Sequence, residues 1–125
     1  MRWTVIQCVE FQEEFEQFPG GLQDELLAYE EVLAQRGPGL GRPLVDTLKG
    51  SHLSNLKELR FSRQRQPYRF LFAFDPERAA VVLIGGSKAG DKQFYERAIP
   101  LAEQRYERHL DERKKRQGEN HEPHS

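Results

Sequence analysis

The chain has 125 residues, 37% hydrophobic and 31% charged, with a net charge of −1, which suits one domain with a real core and a polar surface. No apolar stretch approaches the roughly 18 residues of a membrane span, Cys8 is the single cysteine and cannot form an internal disulfide, and Met1–Val5 lacks the pattern of a secretory signal. A reducing cytoplasm suits such a chain. The neutral total conceals two blocks: residues 1–35 carry one Arg against eight acids, and residues 36–74 carry eight Lys/Arg against Asp46 and Glu58. A local basic patch of this kind is what binds phosphate.

In chain order, Trp3–Val9 is dense in β-formers and predicts a first strand. Phe11, Phe15 and Phe18 recur at helical spacing, Pro19-Gly20-Gly21 breaks the pattern, and a second helix is expected over Leu22–Gln35 with Leu22, Leu26, Tyr29 and Leu33 on one face. Gly37-Pro38-Gly39 stops it. Residues 37–55 form a long connection without clear periodicity, a length that is often functional.

Three strand-like runs follow, Leu56–Phe61, Tyr68–Phe74 and Ala79–Ile84, bounded by the polar loop Ser62–Pro67 and the turn Asp75–Arg78. This is an antiparallel meander. Alternation puts Leu56, Glu58 and Arg60 on one face of the first run, with Lys57, Leu59 and Phe61 on the other. Tyr68, Phe70, Phe72 and Phe74 make a core face beneath the helical hairpin, which leaves Arg69 on the opposite face. After the glycine-rich turn Gly85–Lys92, a helix is expected with Tyr95, Ile99, Ala102, Tyr106 and Leu110 on one stripe. Pro100 either kinks it or begins a second helix. From Asp111 no residue is apolar, so the expectation is a domain over 1–110 and a charged, frayed and disordered tail over 111–125.

The turn before the last helix lacks the Gly-Lys-Ser/Thr of a P-loop, because it offers Gly90-Asp91-Lys92. No Cys/His/Asp cluster has metal-ligand spacing; Cys8 suits a buried hydrophobe, and His109 suits a solvated surface. His52, just before the basic strand, is placed to carry a proton beside an RNA phosphate. Arg60 and Arg69 lie on neighbouring antiparallel strands and one face, where Lys88 and Lys92 of the following turn converge with them. Such a cluster binds a phosphodiester and stabilises charge developing in its cleavage. RNA supplies its own nucleophile, the 2′-hydroxyl, so a base, an acid and cations suffice without metal or cofactor. Tyr95 is placed to stack on a base or to move a proton. Lys57, Arg63 and Arg65 extend the basic face towards RNA.

The succession Gly50-Ser51-His52, Asn55–Arg60, Tyr68–Phe72, Val81–Ile84, Lys88 and Tyr95-Glu96-Arg97-Ala98 resembles the RelE/HigB toxins, and most closely their phage-derived Gp49-like branch, over roughly residues 3–106. The resemblance implies an α+β fold in which an N-terminal strand and a helical hairpin pack on a curled antiparallel sheet, with a C-terminal helix. It implies a type II toxin that cuts mRNA on the ribosome as an endonuclease. A cognate antitoxin, of helix-turn-helix DNA-binding type, would hold it inactive. Arg69 matches the family's phosphate-contacting arginine, Tyr95 its catalytic-site tyrosine, Arg60 the Glu-Leu-Arg arginine and Lys88 the lysine after the last strand. Lys57-Glu58 stands where RelE carries two lysines one residue apart, and Ala89 where it carries an arginine; Lys92 or His52 would compensate. Related ParE toxins poison DNA gyrase on the same fold, and a non-catalytic RNA- or protein-binding module is a third reading. The acidic front would orient the molecule in the ribosome through its dipole.

Overall fold

The structure, a computed structural model, describes residues 2–120, with side chains through Gly118. Strand β1 (Thr4–Gln7) leads through Cys8 into helix α1 (Val9–Glu16), and α2 (Gly20–Arg36) follows. Strands β2 (Val45–Thr47), β3 (Leu56–Arg63), β4 (Gln66–Phe74) and β5 (Ala79–Ser87) come next, and α3 (Phe94–Asn120) closes the chain. The sheet order is β1-β5-β4-β3-β2. The meander is antiparallel as expected, whereas β1 joins its far edge in parallel, with Ile6 opposite Val81. The helical hairpin between them makes this geometry possible, since a parallel pair needs a crossover. The mixed α+β architecture agrees with the sequence expectation.

Two details of the connections differ from that expectation. The long connection holds a strand, β2, antiparallel to β3 with Asp46 opposite Glu58. Three residues carry too little periodicity to announce themselves. The expected loop Ser62–Pro67 contracts to Gln64-Arg65, both at positive φ (50° and 66°), the pattern of a type I′ hairpin. Neither residue is the Asn or Gly that usually marks such a turn, so the ladder on either side determines it.

The sheet separates two packing layers. On one face, Phe61 and Phe70 meet the hairpin: Phe11 and Phe18 of the α1 region lie edge-on to Phe70 at 5.9 and 6.1 Å, and Tyr29 of α2 stacks on Phe61 at 4.5 Å. Leu22, Leu26 and Leu33 are buried there. Burying a side chain of this size contributes about 1.5–3 kcal/mol, so this face carries much of the stability. On the other face α3 packs its Phe94, Ala98, Ala102 and Tyr106 against β4 and β5. The Tyr106 hydroxyl donates to the Phe74 carbonyl at 2.9 Å.

Helix α3 is a single element with Pro100 inside it. The proline removes one bond to the carbonyl of Glu96. Both residues are exposed, which leaves the orphaned oxygen open to solvent rather than buried. The helix also runs past Leu110 to Asn120, through residues expected to fray. Its second half is held by polar contacts that hydrophobic periodicity does not register: Arg108 on Glu10 at 2.6 Å, and Arg113 and Gln117 on Glu77 at 3.1 and 3.0 Å. Residues 121–125, the end of the expected tail, lie outside the described residues. His109, expected on the surface, is buried, with its Nε2 2.9 Å from Asp75. Asp75 also accepts the amides of Glu77 and Ala79, which closes the β4–β5 turn.

Candidate active site

The register settles which cations meet. Arg60 lies directly opposite Arg69 across the β3–β4 ladder, and both project from the face that α3 covers only in part. Two guanidinium groups facing each other repel, and each has a carboxylate close by. Arg60 lies 3.7 Å from Asp46, which also accepts from Arg42 at 3.1 Å. The Arg42 hydrogen bond is the main reason that the Asp46 carboxyl stays below its ordinary range. Pro43, Arg60, Phe61, Ser62 and Arg69 line a shallow hollow of about 230 Å³.

Arg69 is the more enclosed of the pair, with its side chain 11% exposed. One terminal N–H donates to the Tyr68 carbonyl at 2.9 Å. Its Nε lies 3.6 Å from Glu58 Oε1, too far for a hydrogen bond, and is buried without a partner. A buried donor left unsatisfied costs about 1–3 kcal/mol, and an incoming phosphate oxygen would relieve that cost.

Glu58 joins the site although the sequence pattern gave it no role there. Its carboxylate is buried and accepts the Tyr95 hydroxyl at 2.6 Å. Strand alternation already put it on the face of Arg60, and Ile84, Leu71, Glu58 and Asp46 form the next row across the sheet. A lone acid inside a basic strand was the available clue. Burial first, and then the Glu58 hydrogen bond and charge, push the Tyr95 phenol up to about 12, with Arg69 opposing. At neutral pH Tyr95 is therefore a neutral O–H donor. The Lys88 ammonium sits 5.1 Å from the Tyr95 ring centre, over its face, where the ring quadrupole attracts it.

Of the nine residues singled out, Arg69 and Tyr95 meet at Glu58, with Arg60 across the ladder from Arg69 and Lys88 over the Tyr95 ring, and the other five stand apart. Lys92 is exposed in the turn just before α3, with no ion pair among the described residues. Arg65 is at the tip of the β3–β4 hairpin. Lys57 points from the opposite face of β3 and donates to Thr47 at 3.4 Å. Arg63 shares that face and is paired with Glu25 of α2 at 3.1 Å. His52 is clipped to α3, its ring nitrogens 3.2 and 3.0 Å from Glu103 and Glu107. Glu103 also accepts from the Ser51 hydroxyl and the His52 amide. Glu103 lies eight residues beyond Tyr95, about 12 Å along the helix, so His52 is remote from the Tyr95 hydroxyl.

The acidic front is likewise engaged. Glu10 and Glu14 pair with Arg108 and Arg105 of α3, Glu25 with Arg63 and Glu31 with Arg2. Among the described residues, no group of three or more His, Cys, Asp or Glu side chains is disposed to hold a metal ion. No helix there is long and apolar enough to cross a membrane.

This geometry sits in a chain with recognisable relatives. The family described as phage derived protein Gp49-like (DUF891) matches residues 13–107. The chain belongs to that family. Two Mycobacterium tuberculosis proteins that bear the names toxin HigB2 and toxin HigB3 are 50% identical over 82 residues and 48% identical over 81. Each alignment takes in 64% of this chain, but 41% of the first relative and 69% of the second. The chain therefore spans less than half the length of the first. The free-state structure of the E. coli toxin RelE, carrying two arginine-to-alanine substitutions, superimposes with a TM-score of 0.58 at 13% identity, over 80% of this chain and 97% of that one. That likeness establishes the fold. Together the matches place this Gp49-like chain in the RelE/HigB superfamily, as its sequence resemblance implied.

Proposed function

We propose that this chain is the toxin of a type II toxin-antitoxin pair and an endoribonuclease that cuts mRNA on the ribosome, in the cytoplasm. The observation that carries this reading is the Arg69–Glu58–Tyr95 cluster, an anion seat, a buried carboxylate and a neutral phenol in consecutive contact beside the Arg60–Arg69 hollow. A substrate phosphate takes the place of Glu58 beside Arg69 and accepts the orphaned Nε proton of Arg69 as a hydrogen bond, with Arg60 on its other side. Glu58 accepts the proton of the 2′-hydroxyl as that oxygen attacks phosphorus. Tyr95 donates its proton to the departing 5′-oxygen and recovers one from Glu58. The products are a 2′,3′-cyclic phosphate and a 5′-hydroxyl, with no proton unaccounted for. Arg69, Arg60 and Lys88 offset the extra negative charge of the pentacoordinate state. A cognate antitoxin of DNA-binding type would restrain the chain between uses.

The test is inducible expression in a bacterium with primer extension on an abundant translated mRNA, comparing the wild type with Arg69→Ala and Tyr95→Phe. New cuts within the reading frame that vanish in both variants support the reading. Growth arrest with intact mRNA would overturn it in favour of a gyrase-type target.

A further inference from the structure

Half of the eight cations in the basic middle of the sequence are already paired, since Arg42, Arg60, Arg63 and Arg69 each face an acid. Uncommitted positive charge gathers at the far end of α3. The family match stops at residue 107, and the helix continues for a further 13 residues, to Asn120, about 20 Å at 1.5 Å per residue. Two of its cations anchor it: Arg108 on Glu10 and Arg113 on Glu77, with Gln117 also on Glu77. Lys114, Lys115 and Arg116 follow directly. All three are exposed, and none has a carboxylate or hydrogen-bond partner among the described residues. They are the longest run of consecutive unpaired cations there. Asp111 and Glu112 precede them by about a turn and temper the charge without pairing with it.

We propose that this end of α3 is a second RNA-binding surface, a strut that grips the phosphate backbone of an RNA helix apart from the strand being cut. Anchoring through Arg113 and Gln117 keeps the strut rigid. At about 100° per residue the three cations fan over about 200° of the helix surface, Arg116 on the side of the hollow shared with Glu10 and Arg108 and Lys114 and Lys115 turned away from it, a spread that reaches phosphates on both sides of a groove. The chemistry favours a phosphate backbone over a membrane or a protein surface, and the choice of RNA rests on the proposed action on mRNA. Residues 111–118 contain no apolar side chain, so the helix lacks the hydrophobic face that a membrane-surface helix buries and the apolar anchor that a protein interface centres on. Phosphate recognition requires only cations and release of counterions.

The experiment measures binding of the full chain to a 16-base-pair, 2′-O-methylated RNA duplex across a salt series. The duplex cannot be cut by 2′-hydroxyl attack, so the result does not depend on nuclease activity. Changing Lys114→Gln, Lys115→Gln and Arg116→Gln together should weaken Kd tenfold or more at low salt. It should also reduce the slope of log Kd against log salt by about 2 to 3. Glutamine is a good helix former, and an unchanged far-UV circular dichroism spectrum confirms that α3 survives. The charge-preserving pair Lys114→Arg and Lys115→Arg should bind as the wild type does. An unchanged slope in the triple variant would overturn the proposal. So would an equal loss of duplex binding in Arg69→Ala, which would put the duplex in the cleft, or binding to anionic lipid vesicles without binding to the duplex.

Discussion

Arg69 and Phe70 are neighbours on β4, and they belong to two different regimes. Phe70 looks towards α1 and α2, where ring meets ring. Arg69 looks the other way, into a half-covered layer where a buried carboxylate, a phenol and a second guanidinium share a small space. The sheet is one strand thick, so the stability of the hairpin face holds the tension of the site face in place. A guanidinium Nε with no partner, opposite another arginine, persists only where the surrounding ladder overrules it. The site is therefore poised for an anion that the fold itself does not supply.

Exchanging these neighbours one at a time tests the contrast. Phe70→Ala should lose about 3–5 kcal/mol of stability, visible as a lower urea midpoint, while any molecules that stay folded still cut RNA. Arg69→Ala should do the reverse, reducing cleavage by about 10²–10³-fold with a native circular dichroism spectrum. A collapse of structure in Arg69→Ala would show that the two faces are not separable.

Glu58→Gln addresses the link between carboxylate and phenol. The Glu58 charge is one of the causes that hold the Tyr95 phenol near 12, so the variant should ionise at lower pH, with burial still keeping it above its ordinary value. Tyrosinate absorbance, with Tyr95→Phe to assign the step, reads this directly. The sign follows from linkage: a phenol raised in the folded state stabilises it below its ordinary value of 10, and that contribution is lost as pH rises through about 12. The wild type should lose stability across that window more steeply than Glu58→Gln. The smallest effect is expected at Arg63→Ala, which removes a partly exposed pair with Glu25. It should cost at most about 1 kcal/mol and leave cleavage unchanged, although Arg63 and Arg69 look alike in the sequence.

Local pattern was sufficient for the elements with strong periodicity. The phenylalanine spacing of the α1 region, the leucine stripe of α2 and the alternation of β3 and β4 follow from the geometry of helix and strand, and alternation alone puts Arg60 and Arg69 on one face. The relationship to the RelE/HigB toxins was legible for the same reason, because the order of those runs carries it. Tertiary structure alone decided which charges remain available. Lys57 and Arg63 are lost to the hairpin face, His52 is held by Glu103 and Glu107, and α3 is extended by Arg113 and Gln117 on the β4–β5 turn, with Gln117 and Glu77 40 residues apart. It also admitted Glu58 to the site, since the 2.6 Å bond to Tyr95 joins residues 37 positions apart. Hydrophobic burial has a period that can be read along a chain, but ion pairing depends on which distant partner arrives within a few ångströms.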